Sequence, residues 1–209
     1  MVGLLKLYKR TDIEELLSSI SIFYFNKLYI HIDYSDNETI ETLKNILYKT
    51  LKLPFEVYIS ESNLGCSNAH KNALKWVYSF KEVDEVCIIE DDLKLIKTPS
   101  FCYESDNEIY VLSEYFWSYI INRSTYNYLE SISLQDLDLP QIHKDLLLKM
   151  ESLNQPLIWD AELELKLNYN KSFYIPINRE VCFESTRVPS TRSNETLVYV
   201  TYKNGVRIT

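Results

Sequence analysis

The chain has 209 residues, of which 46% are hydrophobic and 25% charged, values that exclude general disorder and predict one domain spanning 1–209. With 22 basic and 30 acidic residues the net charge is −8, which argues against a nonspecific polyanion binder because phosphate-backbone affinity needs clustered Lys and Arg. No apolar run approaches the ~20 residues of a membrane span, no signal peptide is evident and the four cysteines form no CxxC pair, so we expect a cytoplasmic protein without a membrane span.

The first ninety residues alternate short apolar runs with amphipathic segments, which is typical of βαβ units. Strands are predicted at Val2–Leu7, Lys27–Ile32, Phe55–Ser60 and Glu85–Ile89, and helices at Asp12–Ser19, Glu38–Leu51 and Cys66–Phe80. Right-handed crossovers predict an α/β fold with an open, mostly parallel sheet flanked by helices, whose ligands bind at the carboxyl ends of the strands. Polar segments fall at those ends: Tyr8–Arg10, Asp33–Asp36, Glu61–Gly65 and Glu90–Asp92.

The second half is less regular and too short for an independent core, so we expect it to pack on the sheet. Strands are predicted at Glu108–Leu112, Tyr115–Ile121 and Ser172–Ile175, and helices at Arg123–Leu129, from Pro140 onward and at Trp159–Leu167. In the helix after Pro140, periodicity predicts that Ile142, Leu146, Leu147 and Met150 face inward. Pro189 opens a polar tail.

The strongest local signal is the acid triplet Glu90-Asp91-Asp92 at the end of a buried strand. Three consecutive carboxylates repel one another, and a hard divalent cation that bridges carboxylate and diphosphate oxygens is the usual resolution. Strand alternation would place Glu90 and Asp92 on one side and Asp91 on the other. A solvated turn or an acid-rich helix start is the alternative interpretation.

The triplet follows a turn, Asn63-Leu64-Gly65-Cys66, and a helix that contains Ala69-His70-Lys71-Asn72. In this order of turn, helix, strand and acids, the chain resembles a GT-A glycosyltransferase of the N-acetylglucosaminyltransferase I-like and family 2-like branch, with Glu-Asp-Asp as a variant of the DxD motif. The resemblance runs from about Val2 to Cys182 and is most specific over Asn63–Leu93.

Three further segments resemble this family in the same order. Leu4–Arg10 resembles its nucleotide-binding first strand and turn, His31-Ile32-Asp33 resembles the second strand with its acid near the base, and Trp159-Asp160 resembles its Trp-Asp pair. The resemblance divides the chain into a nucleotide-sugar-binding half, 1–93, and an acceptor-side half, 94–209.

The resemblance implies a nucleotide diphosphate sugar donor, usually a UDP-sugar, held with Mn²⁺ or Mg²⁺. Asp92 would be the direct metal ligand, and Glu90 and Asp91 would contact ribose and donor-sugar hydroxyls. The remaining residues assigned to the nucleotide-sugar site are Tyr8, Arg10, Asp33, Asn63, Gly65 and Lys71.

Sugar transfer also needs a group that takes the proton of the attacking acceptor hydroxyl, which calls for a carboxylate across the sugar from the diphosphate. Asp160 is the candidate base of an inverting reaction. The alternative is a helix N-terminal charge stabilised by the helix dipole, and Glu162 or Glu164 would serve as the base if the helix is rotated.

The chain departs from the family near its C-terminus, where relatives often carry a metal-binding histidine and this sequence has none over Phe183–Arg192. Either the metal has fewer protein ligands, or Arg187 and Arg192 pair with the leaving diphosphate, since the guanidinium fork suits phosphate oxygens. A solvated tail is an equal alternative. For the three histidines, His31, His70 and His143, we expect packing or surface roles.

Two other functions remain open. A nucleotidyltransferase would use the same sheet and metal, but the first loop, Tyr8-Lys9-Arg10, has no glycine. A noncatalytic nucleotide-sugar or glycan binder would keep the donor site with an inert Asp160. The acceptor of a transferase is a glycan or a lipid-linked sugar, or a modified base in phage DNA.

Overall fold

The structure is a computed structural model that describes residues 1–20, 25–98, 109–113, 118–152, 157, 159–170, 175, 177–186, 201–203 and 206–208. The strands are β1 Val2–Leu7, β2 Leu28–Ile32, β3 Phe55–Ile59, β4 Glu85–Glu90, β5 Leu93–Leu95, β6 Ile109–Ser113, β7 Ser118–Asn122, β8 Ile177–Ser185, β9 Thr201–Lys203 and β10 Val206–Ile208. The helices are α1 Glu14–Ile20, α2 Asn37–Thr50, α3 Gly65–Val77, α4 Arg123–Ser131, α5 Gln141–Ser152 and α6 Trp159–Tyr169.

These elements build an α/β fold around an eight-stranded sheet in the order β3-β2-β1-β4-β7-β6-β8-β5. The pairs β3-β2, β2-β1, β1-β4 and β6-β8 are parallel, whereas β4-β7, β7-β6 and β8-β5 are antiparallel. The expectation of a mostly parallel sheet is therefore wrong, and the sheet is mixed. Only four residues separate β6 from β7, and a connection that short joins antiparallel strands, because a parallel crossover needs a dozen residues or more.

The core lies on both faces of the sheet, and strand alternation decides which face each side chain joins. Leu5 and Leu7 of β1 pack with α1 and α2 on one face. Leu4 packs with α3 and Trp159 of α6 on the other face. Lys6 follows Leu4 by two residues, so it points toward α3 and α6 near the carboxyl end of β1.

The second half departs from the expected pattern in two places. In α5 only His143 is buried and Ile142 is 52% exposed, so the expected inward face is wrong at Ile142; Leu147 does pack, against a small cluster with Leu137, Leu139 and Leu165. Strand β8 begins two residues after the strand predicted at Ser172–Ile175 and runs to Ser185, well beyond it. Within the described part of the chain, no helix is both long and apolar enough to cross a membrane.

Several predictions fall outside the described residues. These are the strand residues Glu108, 115–117 and 172–174, the polar tail after Pro189, and both candidate diphosphate ligands, Arg187 and Arg192.

Candidate functional site

The carboxyl ends of β1, β2 and β4 meet the N-terminus of α3 at one edge of the sheet. The backbone N–H of Tyr8 donates to Asp91 Oδ2 at 2.7 Å, and Asn63 Nδ2 donates to the Tyr8 hydroxyl at 2.9 Å. The N–H of Asp33 donates to the carbonyl of Leu7 at 3.0 Å. The structure thus brings together segments that lie as far apart in the sequence as Tyr8 and Asp91, as the sequence pattern predicts.

Asp33 lies at this edge, but its carboxylate faces the protein. It is 4% exposed, and its oxygens accept from the N–H groups of Leu64 at 2.9 Å and Gly65 at 3.2 Å. Helix α3 begins here without a side-chain cap from Leu64, so Asp33 supplies an acceptor for its orphan N–H groups from the neighbouring strand. Asp33 therefore holds the loop that enters α3.

Two backbone conformations shape this edge. Gly65 has a φ of 71°, and a Cβ there would meet nothing within 4 Å, so the left-handed conformation rather than lack of space calls for glycine. Lys9 has a φ of 58°, which a side chain with a Cβ adopts at a cost. This bend lets Arg10 turn back, and its guanidinium donates to the Thr186 hydroxyl at 2.9 Å.

Protein groups offset part of the charge of the acid triplet. Glu90 Oε1 lies 2.7 Å from Lys6 Nζ, and Asp91 accepts the Tyr8 N–H. The strand ends at Glu90, so the alternation expected through the triplet does not continue, and a turn carries Asp91 and Asp92 into β5. Asp92 is 6% exposed, and its carbonyl accepts from the N–H of Thr186 at 2.7 Å.

The fit to a metal ion follows from these partners. Among the residues that the structure describes, no group of three or more His, Cys, Asp or Glu side chains could hold a metal. Mg²⁺ in phosphate-binding sites is commonly held by one or two carboxylates together with substrate phosphates. The described residues therefore do not form a metal centre from protein ligands alone, and a metal at Asp92 would need diphosphate oxygens as further ligands.

A buried cluster that the sequence analysis missed lies directly behind Glu90. Lys6 Nζ is 2.7 Å from His70 Nδ1 and 4.5 Å from the centre of the Trp159 ring. The His70 and Trp159 rings stack at 3.7 Å with an angle of 4°, and His70 Nε2 lies 3.0 Å from the Tyr119 hydroxyl. The sequence did contain a signal for this cluster, a lysine inside an otherwise apolar strand, but the sequence analysis did not use it.

Asp160 stands beside this cluster in the first turn of α6. Burial raises its pKa above the usual value, and the charge of Glu90 raises it further, against the lowering effects of the Ala161 N–H and of Lys6. A carboxylate whose pKa is raised toward the working pH is a better general base than an exposed one. Asp160 is therefore the carboxylate of α6 whose environment best suits a proton acceptor.

The alternative base, Glu162, has a different environment. Its oxygens lie 2.6 Å from Lys71 Nζ and 3.0 Å from Lys166 Nζ. Although burial opposes the effect, the hydrogen bonds from these two lysines lower the pKa of Glu162. Lys71, assigned to the nucleotide-sugar site, therefore links α3 to α6, and Glu162 is a weaker base than Asp160.

Together the fold and site define an α/β protein with a mixed sheet and a group of acids at the carboxyl ends of β2 and β4. Comparison with protein-family models finds no match, and comparison with curated proteins finds no significantly similar sequence. Any assignment of function therefore depends on the residues and geometry of this strand-end site.

Proposed function

We propose that this protein is a metal-dependent glycosyltransferase with a GT-A-like fold. It moves a sugar from a nucleotide diphosphate sugar, with a UDP-sugar as the first choice, to an acceptor hydroxyl with inversion. The observation that carries the proposal is the position of Asp160 directly after Trp159, whose ring centre lies 4.5 Å from the Lys6 ammonium that pairs with Glu90. Lys6 thus lies between the candidate base and the acidic strand end.

In the proposed reaction the acceptor oxygen forms a bond to the anomeric carbon of the donor sugar as the bond from that carbon to the diphosphate oxygen breaks. The bonding pair leaves with the nucleoside diphosphate, and Asp160 takes the hydroxyl proton. Asp92 would hold Mn²⁺ or Mg²⁺, which when bound supplies positive charge to the leaving diphosphate. Asp33 would act indirectly, by fixing the loop from Asn63 to Gly65.

Donor binding tests this proposal most directly. We expect a UDP-sugar to bind in Mn²⁺ and to lose at least about tenfold in affinity in chelator, because the diphosphate charge is then opposed by the acid triplet. Asp92→Asn should cause the same loss, measured by calorimetry. Asp136→Asn, at an exposed acid, is the matched control and should bind as the unaltered protein does.

Undiminished donor binding in chelator would contradict the metal assignment. The alternative functions give other results. A nucleotidyltransferase would join a nucleoside triphosphate to a sugar phosphate and release pyrophosphate. A noncatalytic binder would bind the donor without transferring its sugar. Product analysis with a glycan, a lipid-linked sugar and duplex DNA with a hydroxymethylated base identifies the acceptor class.

A further inference from the structure

Lys6 is a charged side chain in the apolar strand β1, and the proposed reaction gives it no role. Its side chain is only 10% exposed. The register of the parallel pair β1-β4 sets Lys6 beside Glu90, and the same ammonium also meets His70 and the Trp159 ring. One cation therefore contacts side chains from β4, α3 and α6.

The chemistry of the ammonium assigns the hydrogen-bond directions in this cluster. An ammonium has three donors and no acceptor, so His70 Nδ1 accepts from Lys6 and its proton is carried on Nε2. Nε2–H then donates to the Tyr119 hydroxyl, 3.0 Å away. Burial and the charge of Lys6 both lower the pKa of His70, which agrees with a neutral ring.

The stack of His70 on Trp159 connects this hydrogen-bonded cluster to α6. Trp159 is the first residue of α6 and is 4% exposed, and Asp160 follows it directly. A ring held on one face by His70 and approached by the Lys6 ammonium has little freedom to shift, so the backbone that carries Asp160 is held as well. The titratable groups that face Lys6 or feel its charge are the carboxylates Glu90 and Asp160 and the neutral rings of His70 and His31.

We propose that Lys6 is a positioning residue: by binding Glu90 and the His70–Trp159 stack with one ammonium, it holds the first turn of α6, and with it Asp160, against the acid triplet. This inference depends on the proposed function for its catalytic consequence. Because a misplacement of about 1 Å in a reacting group can cost ~10²-fold in rate, loss of Lys6 should reduce turnover although Lys6 touches no substrate.

The experiment compares Lys6→Met with a matched control, Lys27→Met. Lys27 also pairs with a glutamate, Glu56, and lies over an aromatic ring, Tyr29 at 4.8 Å, but it precedes β2 at the opposite end of the sheet. Protein labelled with 5-fluorotryptophan reports the Trp159 environment by ¹⁹F NMR, with the signal assigned from Trp159→Phe. Transfer kinetics are measured on the same unlabelled variants.

We expect Lys6→Met to displace the Trp159 signal and to lower kcat about 10- to 100-fold, whereas Lys27→Met changes neither. Lys6→Arg should fall between Lys6→Met and the unaltered protein, because it restores the charge but the planar guanidinium does not reproduce the compact ammonium. If Lys6→Met does not fold, the ¹⁹F spectra of Lys6→Arg and Lys27→Arg are compared instead. We then expect the Trp159 signal to be displaced in Lys6→Arg and unchanged in Lys27→Arg.

An unchanged Trp159 signal in the folded Lys6 variants would overturn the inference. An equal loss of kcat in the Lys27 control would overturn it too, because the effect would then be general. If the unaltered protein transfers no sugar with any donor, the proposed function fails separately, and the ¹⁹F signal still decides whether Lys6 holds the first turn of α6.

Discussion

Two regions treat their carboxylates differently: the strand-end wall, made of the carboxyl ends of β1, β2 and β4, and the first turn of α6. On the strand-end wall, Asp33 and Asp91 accept backbone N–H groups and Glu90 pairs with Lys6. In the first turn of α6, Asp160 accepts the adjacent Ala161 N–H, and burial raises its pKa. Carboxylates surrounded by donors hold structure and charge, whereas a desolvated carboxylate is the one prepared to take a proton.

The contrast between the two regions predicts its largest effect at Asp160. We expect Asp160→Asn to lower turnover by ~10²–10⁴, the usual worth of a general base, while donor affinity and the unfolding midpoint change little, because the amide keeps the shape of the side chain. Steady-state kinetics and donor calorimetry measure both quantities. The control is Glu162→Gln, which should lower stability by weakening the link from Lys71 to Lys166. Near-normal turnover in Asp160→Asn would move the base elsewhere.

Burial disfavours the charged form of a side chain, so it lowers the pKa of a buried histidine, whereas it raises the pKa of Asp160. Burial and the charge of Lys6 lower the pKa of His31 to about 4, and that of His70 is lowered as well. Both rings are neutral when folded and titrate near their ordinary value, 6.5, when unfolded. The stabilisation from each neutral ring is therefore complete above pH 6.5 and falls as the pH falls below it, and that from His31 is lost as the pH falls toward 4.

For His31 the free energy of unfolding should thus fall by about 1.4 kcal/mol per pH unit over that range, and the lowered pKa of His70 adds a fall in the same direction. Urea unfolding between pH 7 and pH 4 measures the slope. His31→Gln can still bond the Ser60 hydroxyl, which lies 3.1 Å from His31 Nε2, and it should remove the His31 contribution and leave a shallower slope. An unchanged slope in His31→Gln would show that His31 titrates alike in both states.

The structural role of the strand-end wall is tested at Asp33. Asp33→Asn replaces one accepting oxygen with a donor opposite a backbone N–H, so we expect the protein to lose about 1–3 kcal/mol of stability, the cost of leaving a buried group unpaired. Asp36→Asn is the control, because Asp36 caps α2 through the Thr39 N–H and Asn caps as well as Asp. Equal unfolding midpoints for the two variants would argue that the Asp33 carboxylate does not hold the loop.

The smallest effects belong to the two left-handed residues of the same wall. Gly65→Ala should cost about 1–2 kcal/mol, because a Cβ is disfavoured at its φ of 71°. Lys9→Gly should have the opposite sign and stabilise by about 0.5 kcal/mol, since relief of the backbone strain exceeds the entropy that glycine loses on folding. Thermal unfolding of the two variants measures whether each change in stability has the expected sign. Destabilisation by Lys9→Gly would contradict the strain argument.

The kinds and order of the first seven elements follow from local pattern, because alternation and helical periodicity are properties of neighbouring residues. Strand β1, for example, has its predicted bounds, Val2–Leu7, and α3 differs from its prediction by three residues at its end. The second half was harder, since β8 mixes polar and apolar residues without strict alternation. Its place between β6 and β5 depends on which strands still have an unpaired edge in the folded sheet, which local pattern does not show.

The sequence by itself determined that polar segments end the apolar strands, that a glycine enters α3 and that acids follow β4. Only the tertiary structure decided which donor each carboxylate receives. Asp33 meets Leu64 across 31 positions, and Lys6 meets His70 and Glu90 across 64 and 84 positions. Charge state and hydrogen bonding depend on burial and on neighbours in space, so a carboxylate that holds a loop and one that can take a proton look alike in the sequence.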